Sequence, residues 1–393
     1  MISKWMLAML ALLLVMATSP IISNVSIVRN AISSQDSSVP KDLRELLEPL
    51  RKEFDLPALA AAIVTSHGLV SVGAVGVRKY GDATPVTVND QFHLGSDTKA
   101  MTATLLAMYV EAGKLKWDTT LAEVFPELAP KMDPAYRRVT IDQLLAHRAG
   151  FTGETWPKGK TIEDMRRLPG TPREQRQAYL AMILKEPPLF PPGSQFLYSN
   201  RSYVVLGAMI ERVANYSWER LMEERLFKPL GMKTCGFGAM GSPNLIDEPW
   251  QHTIEGTRHV AIKPGPDADN PEVIGPAGTV HCSIGDWAKF VQAHLRGEQS
   301  NAGILKPATF KRLHSPLFGG DYVAGWAVVS RAWAGGSALT HAGSNTQNFA
   351  LVWVAPLKDF AVLVATNQAG GNTFNACDKA ASTLILNYTA TGN

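Results

Sequence analysis

Cysteine is scarce in this 393-residue chain, which carries only Cys235, Cys282 and Cys377. Their wide separation excludes the short paired spacings of zinc sites and allows one internal disulfide at most. All three read as small buried apolar residues. An excess of either charge is also lacking: 38 lysines and arginines face 35 acidic residues, for a net +3. Basic residues are scattered singly and no helix-sized stretch alternates them with aromatics, so a nucleic-acid partner is not expected. Several catalytic signatures are absent as well. There is no G-x-S-x-G elbow and no H-E-x-x-H, and Lys158-Gly159-Lys160-Thr161 lacks the earlier glycine of a phosphate loop. Metal and cofactor are therefore not expected, and no internal repeat is visible.

Long apolar runs are missing except at the start. Lys4 precedes an apolar stretch from Trp5 to Ala17, followed by Thr18, Ser19 and Pro20, which is an export signal in outline. Residues 1–30 read as a signal peptide, or as a membrane anchor if Ile21, Ile22, Val25 and Val28 extend the stretch. Export to a periplasmic or secreted location is expected, with membrane anchoring as the alternative fate. Lys4 and Arg29 both fall in this extension, so its removal would leave about +1 (3 − 2). N-x-S/T sequons at Asn24, Asn200, Asn215 and Asn387 read as chance occurrences.

Residues 31–40 form a polar, serine-rich linker, and the folded domain is expected over 41–390. It opens with an amphipathic helix from Lys41, whose Leu43, Leu46, Leu47, Leu50 and Phe54 share a face. Ala58–Thr65 and Leu69–Val77 follow as a β-hairpin. A helix is expected over Asp97–Ala112. From about 115 to 270 the signals are mainly helix or loop, with helices near 140–147, 173–185, 201–214 and 217–226. Strand signals return at Tyr322–Val329, Ala338–His341, Asn348–Val354 and Phe360–Thr366, before a last helix over Thr373–Asn387. Strands at both ends imply an α+β fold. One sheet would be built from about 41–112 and 275–390, with a helical lobe of about 113–274 inserted and a cleft between the two.

Three short motifs carry chemistry. Ser96 opens a helix and Lys99 lies three residues on, so the two share a face and the amine can reach the hydroxyl. A serine is a poor nucleophile until a base takes its proton, and a desolvated lysine can serve. A second S-x-x-K, Ser38 to Lys41, lies in the linker with Pro40 inside it and is set aside. Tyr198-Ser199-Asn200 follows Pro191-Pro192-Gly193 at a turn before a helix, where a phenol can shuttle a proton and an amide can bind a carbonyl. His341-Ala342-Gly343 ends a strand signal, and its glycine lets a ligand approach the backbone closely.

In this order the motifs resemble the serine β-lactamase, DD-peptidase and family VIII carboxylesterase superfamily, with its S-x-x-K, Y-x-N and K/H/W-x-G elements. The resemblance extends through VTIDQLLAHRAG (139–150), PPGSQFLYSNRSYVVLG (191–207), FKPLGMKTCGFG (227–238), PAGTVHCSIGDWAKF (276–290) and residues 341–367. It implies a β-lactamase/transpeptidase-like fold, an antiparallel sheet flanked by helices with an inserted all-helical lobe. It implies acylation of Ser96, with Lys99 and Tyr198 as coupled base and either able to take the proton. Backbone N–H groups of Ser96 and Ser344 would bind the oxyanion, with Gly343 beside them. Asn200 would orient the substrate, and His341 would face its leaving group or carboxylate.

One departure bears on the substrate. β-Lactamases of this type carry K-T/S-G where this chain has His341-Ala342-Gly343, so a permanent cation becomes a titrating imidazole and a hydroxyl is lost. Efficient penicillin hydrolysis is not expected. The expected substrate is a small acyl ester, with β-lactams or D-Ala peptides as the enzymatic alternative and a non-turnover penicillin-binding protein as the second. Pro243–Pro276 is expected to rim the cleft and supply specificity.

Overall fold

The computed structural model describes residues 40–299 and 303–390, so the expected signal or anchor and nearly all of the linker lie outside the described residues. Its strands are β1 (Lys41–Asp42), β2 (Ala58–Thr65), β3 (Gly68–Gly76), β4 (Gln91–His93), β5 (Gly236–Phe237), β6 (Gln251–Glu255), β7 (Arg258–Ile262), β8 (Val280–Ser283), β9 (Tyr322–Val323), β10 (Trp326–Arg331), β11 (Gly336–Ser344), β12 (Phe349–Ala355) and β13 (Phe360–Thr366). Eight of them make one sheet in the order β1-β3-β2-β13-β12-β11-β10-β9. Every pairing in it is antiparallel except β1 on β3. The parallel edge is a departure from the sequence reading. Lys41 and Asp42 pair with Ser71 and Val72, so the first helix starts only at Arg44.

The apolar runs of β2, β12 and β13 are long because both faces of the sheet are covered. Alternation divides each strand between two cores. Leu59, Ala61, Ile63, Leu351, Trp353, Val362 and Val364 pack with helices Arg44–Glu53 and Thr373–Ala390. Ala60, Ala62, Val352, Val354, Leu363 and Ala365 pack on the opposite side, with helices Ile284–Gly297 and Thr98–Glu111. On β11 the same alternation sends Ala338 and Ala342 to the first core and Leu339 to the second. The side chain of Ala342 therefore points away from the face that carries His341, and a hydroxyl there would meet the Thr373–Ala390 side of the sheet.

The segment read as mainly helix or loop also contains strands. β6 and β7 form a hairpin, and β5 pairs with β8, which pairs in turn with β4, in a small three-stranded sheet. Their signals are short and polar, which hid them. Two of the three cysteines depart from the buried-apolar reading, because Cys235 is joined to Cys282 and only Cys377 is a free buried thiol. By the chain-entropy account a loop of this length is worth about 4 kcal/mol. Among the described residues no helix is long and apolar enough to cross a membrane.

Helix Asn200–Ala214 presents the Tyr198 turn, and a buried arginine holds it in place. Arg176 lies on helix Pro172–Ile183, which Thr171 and Glu174 start with a reciprocal cap and Pro172 at its first position. Arg176 Nη2 donates to Glu211 at 2.6 Å and to Glu219 at 2.8 Å, and Nη1 donates to the Glu272 carbonyl at 3.0 Å. Arg176 and Glu211 are almost wholly buried. Removing one member of such a pair strands the other's charge, so Arg176→Ala is expected to lower the unfolding free energy by about 3–5 kcal/mol. Chemical denaturation would measure it, and a loss under about 1 kcal/mol would contradict the role given to the pair.

Candidate active site

Gly95-Ser96-Asp97 form a single 3-10 turn that leads into helix Thr98–Glu111. The turn is pressed against the end of β11 so tightly that side chains are excluded on both sides. A Cβ on Gly343 would stand 1.9 Å from the Leu94 carbonyl oxygen and 2.7 Å from the Ser96 nitrogen. A Cβ on Gly95, which has φ +49°, would stand 2.3 Å from the Ser344 nitrogen. Gly343 thus brings the backbones of Ser96 and Ser344 side by side, a placement from which two N–H groups could converge on one oxygen.

Lys99 is fully buried beside Ser96. Its Nζ lies 2.9 Å from Ser96 Oγ, 2.8 Å from Asn200 Oδ1 and 2.7 Å from the Ala277 carbonyl. Burial pushes this amine well below the usual lysine range, with Asp97 opposing. Two of its three partners can only accept. A neutral amine has two N–H groups for them and one lone pair left over, and that lone pair faces the Ser96 hydroxyl. The arrangement can thus take a proton from Ser96.

Tyr198 and Asn200 reach the same spot from the turn before helix Asn200–Ala214. The Tyr198 ring lies 4.9 Å from Lys99 Nζ. Burial pushes its phenol up, Ser96 acts in the opposite sense, and the hydroxyl has no hydrogen-bond partner among the described residues. Asn200 Nδ2 donates to Thr155 Oγ1 at 2.9 Å, which aims its oxygen at Lys99. Only a narrow opening remains, with Ser96 6% and Tyr198 7% exposed.

His341 is 2% exposed, and both ring nitrogens lie against protein groups. Nε2 is 3.1 Å from the Tyr322 hydroxyl and Nδ1 is 3.4 Å from Asp97 Oδ1. The Asp97 contact is ionic in distance but lacks hydrogen-bond alignment. Ser344 Oγ is likewise engaged, donating to the Asn348 carbonyl at 2.6 Å.

Several residues of the site were missed from sequence. The Ala277 carbonyl, Thr155, Tyr322 and Asp97 have no motif of their own. His147 lies in the resembling stretch 139–150. Burial holds it well below the usual histidine range, its Nδ1 accepts the Ser199 N–H at 3.2 Å, and its ring packs 4.4 Å from that of Tyr198. A second buried network backs the 3-10 turn. The Gly95 N–H donates to His93 Nδ1 at 3.0 Å, which leaves His93 Nε2 to donate to Asp269 at 2.9 Å. Asn345 then donates to Asp269 at 2.9 Å and to Gln251 of the β6–β7 hairpin at 2.6 Å. Pro243–Pro276 supplies both Asp269 and Gln251, so part of this stretch braces the turn from behind. Among the described residues no group of three or more His, Cys, Asp or Glu side chains could hold a metal ion.

A family model described as Beta-lactamase matches residues 43–386. The chain belongs to the Beta-lactamase family. Members of this family are serine hydrolases. Penicillin-binding protein 4 of Amycolatopsis lactamdurans is 27% identical over 348 residues, spanning 84% of this chain and 86% of its own. The octameric penicillin-binding protein homologue from Pyrococcus abyssi superposes with a TM-score of 0.73 at 22% identity, over 88% of this chain and 77% of its own. EstCE1, described as a hydrolase with promiscuous acyltransferase activity, reaches 0.71 at 20% identity, over 86% of this chain and 97% of its own. At such identities the structural matches establish the β-lactamase/transpeptidase-like α+β fold.

The close approach in this β-lactamase-like site yields a stability test. Gly343→Ala forces the 3-10 turn off β11 and is expected to cost about 3 kcal/mol, the upper end for overpacking. Gly113→Ala is the control. That glycine has φ +68° with nothing within 4 Å, so it should cost only about 1 kcal/mol of backbone strain. Thermal denaturation of both variants measures the difference, and equal losses would show that contact with Leu94 and Ser96 is not what requires glycine.

Proposed function

We propose that this protein is a carboxylesterase that hydrolyses small, uncharged acyl esters through an acyl-enzyme on Ser96. The observation that carries the reading is the Lys99 amine, buried and 2.9 Å from Ser96 Oγ. Lys99 takes the hydroxyl proton directly or with Tyr198, whose ring stands 4.9 Å from Nζ. Ser96 Oγ attacks the ester carbonyl, and the negative oxygen is received by the Ser96 and Ser344 N–H groups at the start of a helix, where its dipole favours that charge. The proton passes to the departing alcohol, and water, activated by the same pair, then releases the acid. Asn200 holds Lys99 in place through Oδ1, which leaves the second N–H of its Nδ2 for the substrate.

Ester preference is supported by His341, which stands where a lysine would offer a fixed cation and is enclosed by Tyr322 and Asp97. The EstCE1 likeness adds a hydrolase of the same fold. A second reading, hydrolysis of β-lactams or D-Ala peptides, is favoured by the relative named Penicillin-binding protein 4.

Ser96 is expected to be the sole residue labelled by a fluorophosphonate, as peptide mass analysis would show, and Ser96→Ala should abolish turnover. Lys99→Ala and Tyr198→Phe should each lose on the order of a hundredfold in kcat/KM. The base must be unprotonated to act, and Lys99 is displaced downward. Activity should therefore rise with pH to a plateau reached well below about 10.4, the ordinary lysine value. Near neutral pH, p-nitrophenyl butyrate should be the better substrate and nitrocefin the poorer. The reverse order would favour the β-lactam reading.

A further inference from the structure

Asp97 takes no part in the steps above, although it follows Ser96 directly. It is 3% exposed, and neither carboxylate oxygen has a hydrogen bond among the described residues. A buried carboxylate in that condition is costly unless a positive group stands beside it. His341 is that group, with Nδ1 at 3.4 Å from Oδ1, while Lys99 acts on Asp97 more weakly. Two uncharged tyrosines also stand beside His341. Tyr322 meets Nε2 at 3.1 Å, and the Tyr198 ring lies 6.2 Å away. His147, the other histidine of the cluster, is kept neutral by burial.

We infer that Asp97 is a specificity-determining residue that cancels the charge of His341, so that the Ser96 cleft turns away acyl groups bearing a carboxylate. The inference rests on the acyl-ester reading and adds the charge class of the substrate. Charge counting supports it in each proton state. Imidazolium with carboxylate sums to zero, imidazole with carboxyl sums to zero, and imidazole with carboxylate is negative. Only imidazolium beside a protonated carboxyl is positive, and at 3.4 Å an imidazolium favours the carboxylate over that state. An anionic acyl chain therefore finds no net cation on this wall, and the low polarity of the enclosed site makes the lack felt more than in water. An uncharged ester is indifferent to it. Asp97 acts through His341 and through the field of the pair, without touching substrate.

The test compares p-nitrophenyl hexanoate with mono-p-nitrophenyl adipate, which share a leaving group and chain length and differ by one terminal carboxylate. The wild-type protein should prefer the hexanoate. Asp97→Asn keeps the shape and removes the charge, so the adipate-to-hexanoate ratio of kcat/KM should rise by about tenfold or more. His341→Gln retains Asp97 without its partner and should lower the same ratio, which keeps the inference testable if Asp97→Asn does not fold. In the His341→Gln background Asp97→Asn should move the ratio by a smaller factor than in wild type. A ratio within about twofold of wild type in both single variants overturns the inference, as does an equal shift with and without His341. Failure of wild type to hydrolyse the hexanoate would defeat the ester reading instead. Relative rates of Ser96 modification by benzylpenicillin and a neutral fluorophosphonate then report on the pair: the benzylpenicillin share should rise in Asp97→Asn, and an unmoved share overturns the inference.

Discussion

The site depends on one buried amine. Lys99 is fully buried, so its state is set by Ser96 Oγ, Asn200 Oδ1 and the Ala277 carbonyl, which come from three separate parts of the chain. Two of these partners only accept, and desolvation favours the uncharged form. The remaining lone pair is thereby directed at the serine. Helix Thr98–Glu111, the Tyr198 turn and residues 275–278 must all be held in register for this to occur, and the buried Arg176 ion pairs serve that end by fixing the helices behind the Tyr198 turn.

Backbone proximity is the second constraint. Ser96 and Ser344 can lie side by side only because Gly95 and Gly343 carry no side chains at the crossing. The His93–Asp269–Asn345–Gln251 network ties the back of this crossing to the β6–β7 hairpin. Nearly every polar atom in it is matched, which suits a rigid support in a region closed to water.

His341 shows how a local motif and its surroundings can differ in meaning. As a residue type it suggested a titrating group facing the substrate. In the fold it is walled in by Tyr322 and Asp97, so its electrostatic effect belongs to a pair. Ala342, read as the loss of a hydroxyl from the cleft, lies on the other face of β11 and packs in the opposite core.

The chain order, read alone, determined the α+β class, the strands at both ends, and Ser96, Lys99, Tyr198, Asn200, His341 and Gly343 as candidates. These are legible because helical and strand periodicities are local, and because S-x-x-K and Y-x-N are short patterns whose members act from fixed positions on a turn or helix. Tertiary structure alone decided the partners. The Ala277 carbonyl beside Lys99, the Cys235–Cys282 bond, the parallel β1 edge and the Asp97–His341 contact each join residues distant in sequence, or use a backbone atom that every residue possesses. No side-chain pattern announces such a contact. It follows only from which surfaces the two cores bring together, and for His341 and Asp97 that placement sets whether a titrating group stands alone or in a neutral pair.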